Sequence, residues 1–357
     1  VQGGGVPPTR LESPWYVRLM LGGAGWLAAL FMLGFVAAML TWVMETPLAS
    51  IVVGVALMVA CWWLHSRIRD NDFISQLGLA CSFCGQALFL YGLVESLDLQ
   101  FEDMLPWLLI MLMQAILAWV MPSSFHRLIS SLGAAGALVV VLFHAKLLAL
   151  SAPLLLGLGA WLWLRHWYWP GQVARCRPIA YGLSIATVGL SYLNMGLQPA
   201  WELGVNEVFG QQLVPLWSSE WLVGLVFLGL VWALLRRARI SPPSPKGLLI
   251  LGCSLALALA SIRAPGISMG LSILLLGFAN GTRLLVGLGI LALLAYVGFY
   301  YYQLDISLMA KSGWLALTGV VLLLCRFVLG RFTSSSGGSP GGGKPFAGPG
   351  PQEAPHA

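Results

Sequence analysis

Apolar residues fill this chain in long runs, most of them 16 to 24 residues, separated by short polar breaks. A hydrocarbon core of about 30 Å is crossed by about 20 apolar residues of helix. Lipid gives the backbone no hydrogen-bond partner, and these runs are too long and too unalternating for barrel strands, so the pattern predicts helices. The expected spans are Leu21–Met44, Pro47–Leu64, Phe73–Val94, Met104–Met121, Leu128–Phe143, Leu147–Leu164, Ile179–Leu197, Leu216–Leu235, Gly247–Ile262, Ile267–Phe278, Leu284–Tyr302 and Ile306–Leu329.

The stretch from Leu128 to Leu164 would make one helix of about 55 Å at 1.5 Å per residue. That is nearly twice a bilayer, so a break is expected at His144-Ala145-Lys146. The run Ile267–Phe278 is short enough to be a re-entrant segment instead of a crossing. The expected architecture is all-α: a polytopic bundle of about twelve spans over 21–329, a short segment over 1–20 and a Gly/Pro-rich tail over 330–357. A tail of that composition cannot form a packed core and is expected to be disordered. No charged segment with a small-residue cleavage site precedes the first span, so no removable signal is expected.

Composition agrees. Of 357 residues 59% are hydrophobic and 9% charged, with a mean hydropathy of +0.85, where a soluble domain carries about a quarter charged residues. The formal charge of +6 is spread over many short loops rather than one face, which argues against a nucleic-acid surface. With the N-terminus inside, 16 of the 19 Lys and Arg residues fall on the cytoplasmic side and only Lys146, Arg263 and Lys311 fall outside. That bias orients helices, and it favours a tenth span that crosses. It places both termini in the cytoplasm. Trp62, Trp63, the run from Trp161 to Trp169 and Tyr300 to Tyr302 stand at span ends, where aromatic rings anchor at headgroups.

Arg127-Leu-Ile-Ser-Ser-Leu-Gly133 is echoed by Arg283-Leu-Leu-Val-Gly-Leu-Gly289, six spans later. A parallel six-plus-six repeat would produce this, and so would chance among common Leu and Gly residues.

Ionisable groups in hydrocarbon are costly and mark function, and here nearly all are expected at span ends in reach of water. The deep polar residues are amides: Gln86, Gln114 and Asn194. Such groups commonly serve as interhelical glue worth about 0.6 kcal/mol each; the sharper alternative is a lining for a solute. Cys81 and Cys84 share a helical face but have no further ligands nearby in sequence, so small-residue packing is expected rather than a metal or redox pair. His144 and Lys146 mark a tight outer turn, and His65 to Asp72 reads as solvated cytoplasmic charge. The outer connection from Gln198 to Pro215 mixes aromatic, amide and carboxylate groups and suits an interfacial helix. No phosphate loop, dinucleotide fingerprint, HExxH or Gly-x-Ser-x-Gly pattern occurs, so neither an enzyme nor a cofactor is expected.

One segment is more specific. Ala264-Pro-Gly266, Leu276 to Arg283 and Tyr300-Tyr-Tyr-Gln-Leu-Asp305…Lys311-Ser312, with Asn71-Asp-Phe73 and Gly85-Gln86, resemble an uncharacterised bacterial family of multi-pass membrane proteins. Its members are classed as domains of unknown function and are often encoded beside a membrane-anchored protein named for a GDYXXLXY motif. The resemblance implies a bacterial inner membrane and such a partner, and implies no activity. On the residues themselves, Tyr301, Asp305, Lys311 and Ser312 form either a recognition surface or a well-anchored hairpin. Asp305 is placed to favour a helix N-terminus. The expected role is a non-catalytic membrane subunit or scaffold, with a small-solute carrier as the alternative and an intramembrane enzyme third.

Overall fold

The computed structural model describes residues 45–67, 72–165, 170–202, 212–215, 217–263 and 266–303, with scattered positions from 16 to 43. The described residues form α-helices and short 3-10 turns, with no strand among them. The helices are α1 (Pro47–Arg67), α2 (Asp72–Ser96), α3 (Met104–Val120), α4 (Ser124–His144), α5 (Ser151–Arg165), α6 (Val173–Glu202), α7 (Ser218–Arg237), α8 (Pro245–Arg263), α9 (Ile267–Asn280) and α10 (Arg283–Gln303). Among the described residues six segments are long and apolar enough to cross a membrane: Pro47–Arg67, Gln76–Ser96, Ser124–His144, Leu148–Arg165, Ser218–Arg237 and Pro245–Ile262. Met104–Val120, Ile267–Asn280 and Arg283–Phe299 are shorter apolar helices. The outward side chains agree: Leu248, Leu249, Phe278, Leu284 and Leu291 are each 60% exposed or more, a surface that water would not tolerate over so wide an area. The protein carries the signature of a multi-pass membrane protein.

The break expected at His144 is present. α4 ends there, Lys146 takes a left-handed φ of 59°, and a 3-10 turn over Leu148–Leu150 leads into α5. The short tenth run is a helix of 14 residues, α9, with Ser268, Met269, Gly270, Ser272, Ile273, Leu276 and Gly277 buried. The connection expected after Gln198 opens as a continuation of α6 to Glu202, and residues 203–211 of it lie outside the described residues. The first and twelfth expected spans lie largely or wholly outside the described residues, and so does the tail.

α5 is the most enclosed of the six long spans, with 56% of it buried, whereas α1 is 17% and α8 22% buried. α5 therefore sits centrally and α1 and α8 at the rim. Around α5, Ala160, Trp163, Ala180, Leu230, Ile273, Leu276 and Leu285 make one apolar core from α5, α6, α7, α9 and α10. A second unites Phe227, Val231 and Leu235 of α7 with Ala258 of α8. The α1–α2 pair is packed differently, through glycine. A Cβ on Gly54 would stand 2.6 Å from the Gly85 carbonyl and the Phe89 nitrogen, so only hydrogen fits and the two backbones close on each other.

Two sequence expectations are corrected here. Trp163 is not an interfacial anchor: it is 1% exposed, stacks edge-on against Tyr181 at 4.9 Å and donates its indole N–H to Ser184 Oγ at 3.2 Å. Two residues turn a helix through about 200°, so its neighbour Trp161 faces outward, under the Arg165 guanidinium at 4.6 Å. Nor is His65 part of a solvated loop. α1 continues to Arg67, and His65, 7% exposed, places Nδ1 3.0 Å from the Cys61 carbonyl.

Candidate functional site

Helix α4 begins at Ser124, four residues earlier than its hydrophobic run suggests, because Ser123 caps it: the Ser123 hydroxyl accepts from the His126 N–H. The first turn then carries His126 and Arg127 into the bundle rather than into a loop. His126 is fully buried. Its Nε2 lies 2.8 Å from Ser82 Oγ of α2, and its Nδ1 lies 3.0 Å from Ser130 Oγ, one turn along α4. Phe83 stacks on the imidazole at 6.0 Å.

From Ser82 the polar contacts continue inward. Gln86 Nε2 donates to Ser82 Oγ at 3.2 Å, and Gln114 Nε2 of α3 donates to Gln86 Oε1 at 2.8 Å. On the other side Ser82 lies within reach of Cys61. The Cys61 thiol donates to the Gly78 carbonyl at 2.8 Å and sits 3.3 Å from His65 Nδ1. The result is a connected chain, Gln114–Gln86–Ser82–His126–Ser130, with Cys61 and His65 branching from it. It links α1, α2, α3 and α4.

The depth of the chain follows from helix geometry. His126 stands in the first turn of α4, at the end of the bundle where α3 finishes. Gln114 lies six residues before Val120, about 9 Å from that end. The chain therefore enters from one end and reaches well into α3. Neutral imidazole has one donor and one acceptor nitrogen, so the hydrogens can run in either direction along Ser82–His126–Ser130 without moving a heavy atom. At the inner end, Gln114 Oε1 is buried with no hydrogen-bond partner. An orphaned buried acceptor costs about 1–3 kcal/mol, and it leaves the chain open to a donor. Beside the chain the two hairpins leave an apolar groove of about 470 Å³, walled by Met58 and Trp62 of α1, Phe89 of α2 and Met113 and Leu117 of α3.

The sequence-predicted residues fall out unevenly. Gln86, 4% exposed, and Gln114 are brought together. Asn194 is half-buried on α6, one turn past the buried Ser184, Thr187 and Ser191, and does not join them. Tyr301 is half-buried in the last turn of α10. Asp305, Lys311 and Ser312 lie outside the described residues. His126, Ser82, Ser130, Cys61 and His65 were missed. The available signal was Met121-Pro122-Ser123-Ser124, a helix-start pattern that would have drawn His126 into the fifth span.

The expectation that ionisable groups reach water is corrected as well. Besides His126 and His65, Arg127 is 7% exposed, donating Nη1 to the Ala174 carbonyl at 3.3 Å while its Nε is buried without a partner. At the turn after α4, His144 joins two carbonyls: Nδ1 lies 2.9 Å from Val140 O and Nε2 2.9 Å from Glu102 O. Cys81 and Cys84 carry free thiols.

Residues 14–332 match a family model described as "Domain of unknown function (DUF4401)". No curated protein and no solved structure matches the chain.

Proposed function

The chain belongs to this family of unknown function, and on that footing we propose that it is a membrane carrier for a small polar solute, with the Gln114–Ser130 chain as its recognition element. The observation that carries this reading is the open acceptor at Gln114 Oε1, at the inner end of a continuous polar chain. Pure interhelical glue would close its own hydrogen bonds; here the last acceptor is left for something that brings an N–H or O–H. A ligand with one donor would satisfy it.

The finer topology belongs to the same proposal: twelve spans in a bacterial inner membrane, both termini cytoplasmic, and two halves related by the Arg127 and Arg283 echo. Reporter fusions test it. The loop carrying Arg236, Arg237 and Arg239 should report as cytoplasmic, and a periplasmic signal there would discard the scheme.

The carrier reading is tested by metabolite profiles of a deletion strain. Wild-type protein should restore the profile, and His126→Leu or Gln114→Leu, inserted at equal level, should not. Full restoration by both variants would reject a recognition role for the chain.

A second reading, a subunit holding a partner such as a GDYXXLXY-type membrane protein, is supported by a cleft of about 540 Å³ at the α2–α3 connection. Tyr91, Glu95, Asp98, Gln100 and Phe101 line it, a mixture of aromatic and acidic groups suited to a basic or amide-bearing segment. Co-purification in mild detergent should recover that partner, and its loss on Glu95→Lys with Asp98→Lys would locate the contact.

A further inference from the structure

Where α3 and α5 finish and α6 begins, the helix ends enclose a notch of about 50 Å³. Its walls include Trp119 of α3, Trp161, Leu162 and Arg165 of α5, Gln172 of the 3-10 turn before α6, and Cys176 of α6. It shares no residue with the Gln114–Ser130 chain. A void of that size admits a group of a few heavy atoms and leaves the rest of any ligand outside. The outer rim is aromatic: Trp119 is 43% and Trp161 51% exposed, and indole rings at a span end stand at the headgroup level of a bilayer.

The notch presents a cation and an unmet acceptor. The Arg165 guanidinium lies 4.6 Å from the centroid of the Trp161 ring, a stacking that holds it at the wall. Gln172 Oε1 is enclosed and has no hydrogen-bond partner. Further positive charge surrounds the pair. Arg127, 7% exposed in the first turn of α4, donates Nη1 to the Ala174 carbonyl at 3.3 Å, and its Nε is buried without a partner. Arg175 and Arg177 are exposed near the start of α6. α3, α4 and α5 contain no acidic residue. The single one in α6 is Glu202, its last residue, roughly 40 Å along the helix from Val173. Asp70, the Asp72 side chain and residues 166–169 lie outside the described residues.

Guanidinium groups with no carboxylate beside them on these helices favour an anion, and at the rim of a bilayer that anion is a lipid headgroup. The planar fork of arginine matches a pair of phosphodiester oxygens. The Gln172 acceptor calls for a donor on the same headgroup. A hydroxyl supplies it without adding positive charge to a cationic site, which an ammonium would do. We propose that the notch binds the headgroup of an anionic glycerol phospholipid, with the phosphate on Arg165, a headgroup hydroxyl on Gln172 Oε1 and the acyl chains against Trp119 and Trp161. The site is independent of both readings of function above.

Native mass spectrometry of the full chain in detergent tests this, with lipids of one acyl composition added stepwise. Phosphatidylglycerol carries the charge and the hydroxyl, phosphatidylmethanol the charge alone, and phosphatidylcholine neither net charge nor hydroxyl. Affinity for the first lipid bound should fall in that order. Arg165→Gln should weaken phosphatidylglycerol about fivefold or more, the factor for one basic residue beside an anionic lipid. Lys246→Gln, an exposed cation on α8, should leave it unchanged. Gln172→Leu should lower phosphatidylglycerol to the level of phosphatidylmethanol.

Wild-type protein supplies a second readout that needs no variant to fold. The free thiol of Cys176 stands in the notch wall. In nanodiscs, N-ethylmaleimide should label it several-fold more slowly in phosphatidylglycerol than in phosphatidylcholine, while Cys253, exposed on α8, reacts alike in both.

Equal affinity for phosphatidylglycerol and phosphatidylcholine would overturn the proposal. So would wild-type affinity in an Arg165→Gln protein that melts cooperatively, the result expected if a carboxylate of this chain holds the guanidinium. Phosphatidylmethanol bound as tightly as phosphatidylglycerol would remove the Gln172 contact, and Cys176 labelling indifferent to lipid would remove the notch as the place of binding.

Discussion

Between Pro47 and His144 amides, hydroxyls and imidazole help to join one helix pair to the next, beside an apolar cluster of Met113, Leu117 and Met121 against Met58 and Phe89; between Ser151 and Gly298 the larger clusters are aliphatic and aromatic. In the first region Gln86–Gln114 and Ser82–His126 bridge the α1–α2 pair to the α3–α4 pair, each at 2.8 Å. In the second, Trp163, Leu230, Ile273, Leu276 and Leu285 meet as a continuous apolar core.

The difference is physical. Lipid tails are as apolar as leucine, so burying leucine between helices gains packing but little transfer energy, and association rests on close fit and polar bonds. The second region relies mainly on fit. The first has a groove between its two hairpins and spans part of the remaining contact with hydrogen bonds. A region joined by a few exchangeable polar contacts can rearrange at smaller cost than one joined by interlocked side chains, which is what a site that takes up and releases a solute requires.

The largest effect expected is in the tight region. Phe227 is 2% exposed between α7 and α8. Phe227→Ala should cost about 3–5 kcal/mol, the range for deleting a buried aromatic ring, read as a lowered unfolding midpoint in detergent. A loss under about 1 kcal/mol would mean that this region is not the rigid one. Next comes Gly54→Leu, which drives a side chain into the Gly85 carbonyl and the Phe89 nitrogen. Overpacking of this kind costs about 1–3 kcal/mol, and because backbone rather than a flexible side chain is struck, the upper end is expected. His126→Leu removes two hydrogen bonds, one to Ser130 and one to Ser82, which keeps its bond from Gln86. At about 0.6 kcal/mol per interhelical bond, the stability loss should be close to 1 kcal/mol, while solute handling is lost. A stability loss as large as that of Phe227→Ala would turn the chain into a structural bolt and erase the contrast between the regions.

Much of the fold was legible because hydrophobic run length is set by the bilayer. The break at His144, demanded by a 55 Å helix being too long, is where α4 ends and Lys146 turns left-handed. The site was half legible. Gln86 and Gln114 stand out as amides inside apolar runs, and they do pair. His126 stands beside Pro122 and Arg127, which pulls any hydropathy window toward a loop, so its burial depended on reading the Ser123 cap. Ser82 and Ser130 carry no signal at all, because serine is common in these helices and its role depends on what faces it.

The smallest effect is the most discriminating. Gln86→Ala and Gln114→Ala each break the 2.8 Å amide bond that ties α2 to α3, but they differ otherwise. Gln86→Ala also removes the donor to Ser82 Oγ, while Gln114→Ala deletes the open acceptor and relieves its orphaned state. Their coupling in a double-mutant cycle should be about 0.6 kcal/mol, the mean for such bonds in a membrane. The single variants should be asymmetric: Gln86→Ala, which loses two bonds, is the more destabilising, while Gln114→Ala loses one and exchanges the unmet Gln114 Oε1 for an unmet Gln86 Oε1. Unfolding midpoints in a series of sodium dodecyl sulfate fractions would measure all three. A Gln114→Ala loss equal to that of Gln86→Ala would show that the acceptor is satisfied in the folded protein. The inner end of the chain would then be closed, and the first region would be joined by glue alone.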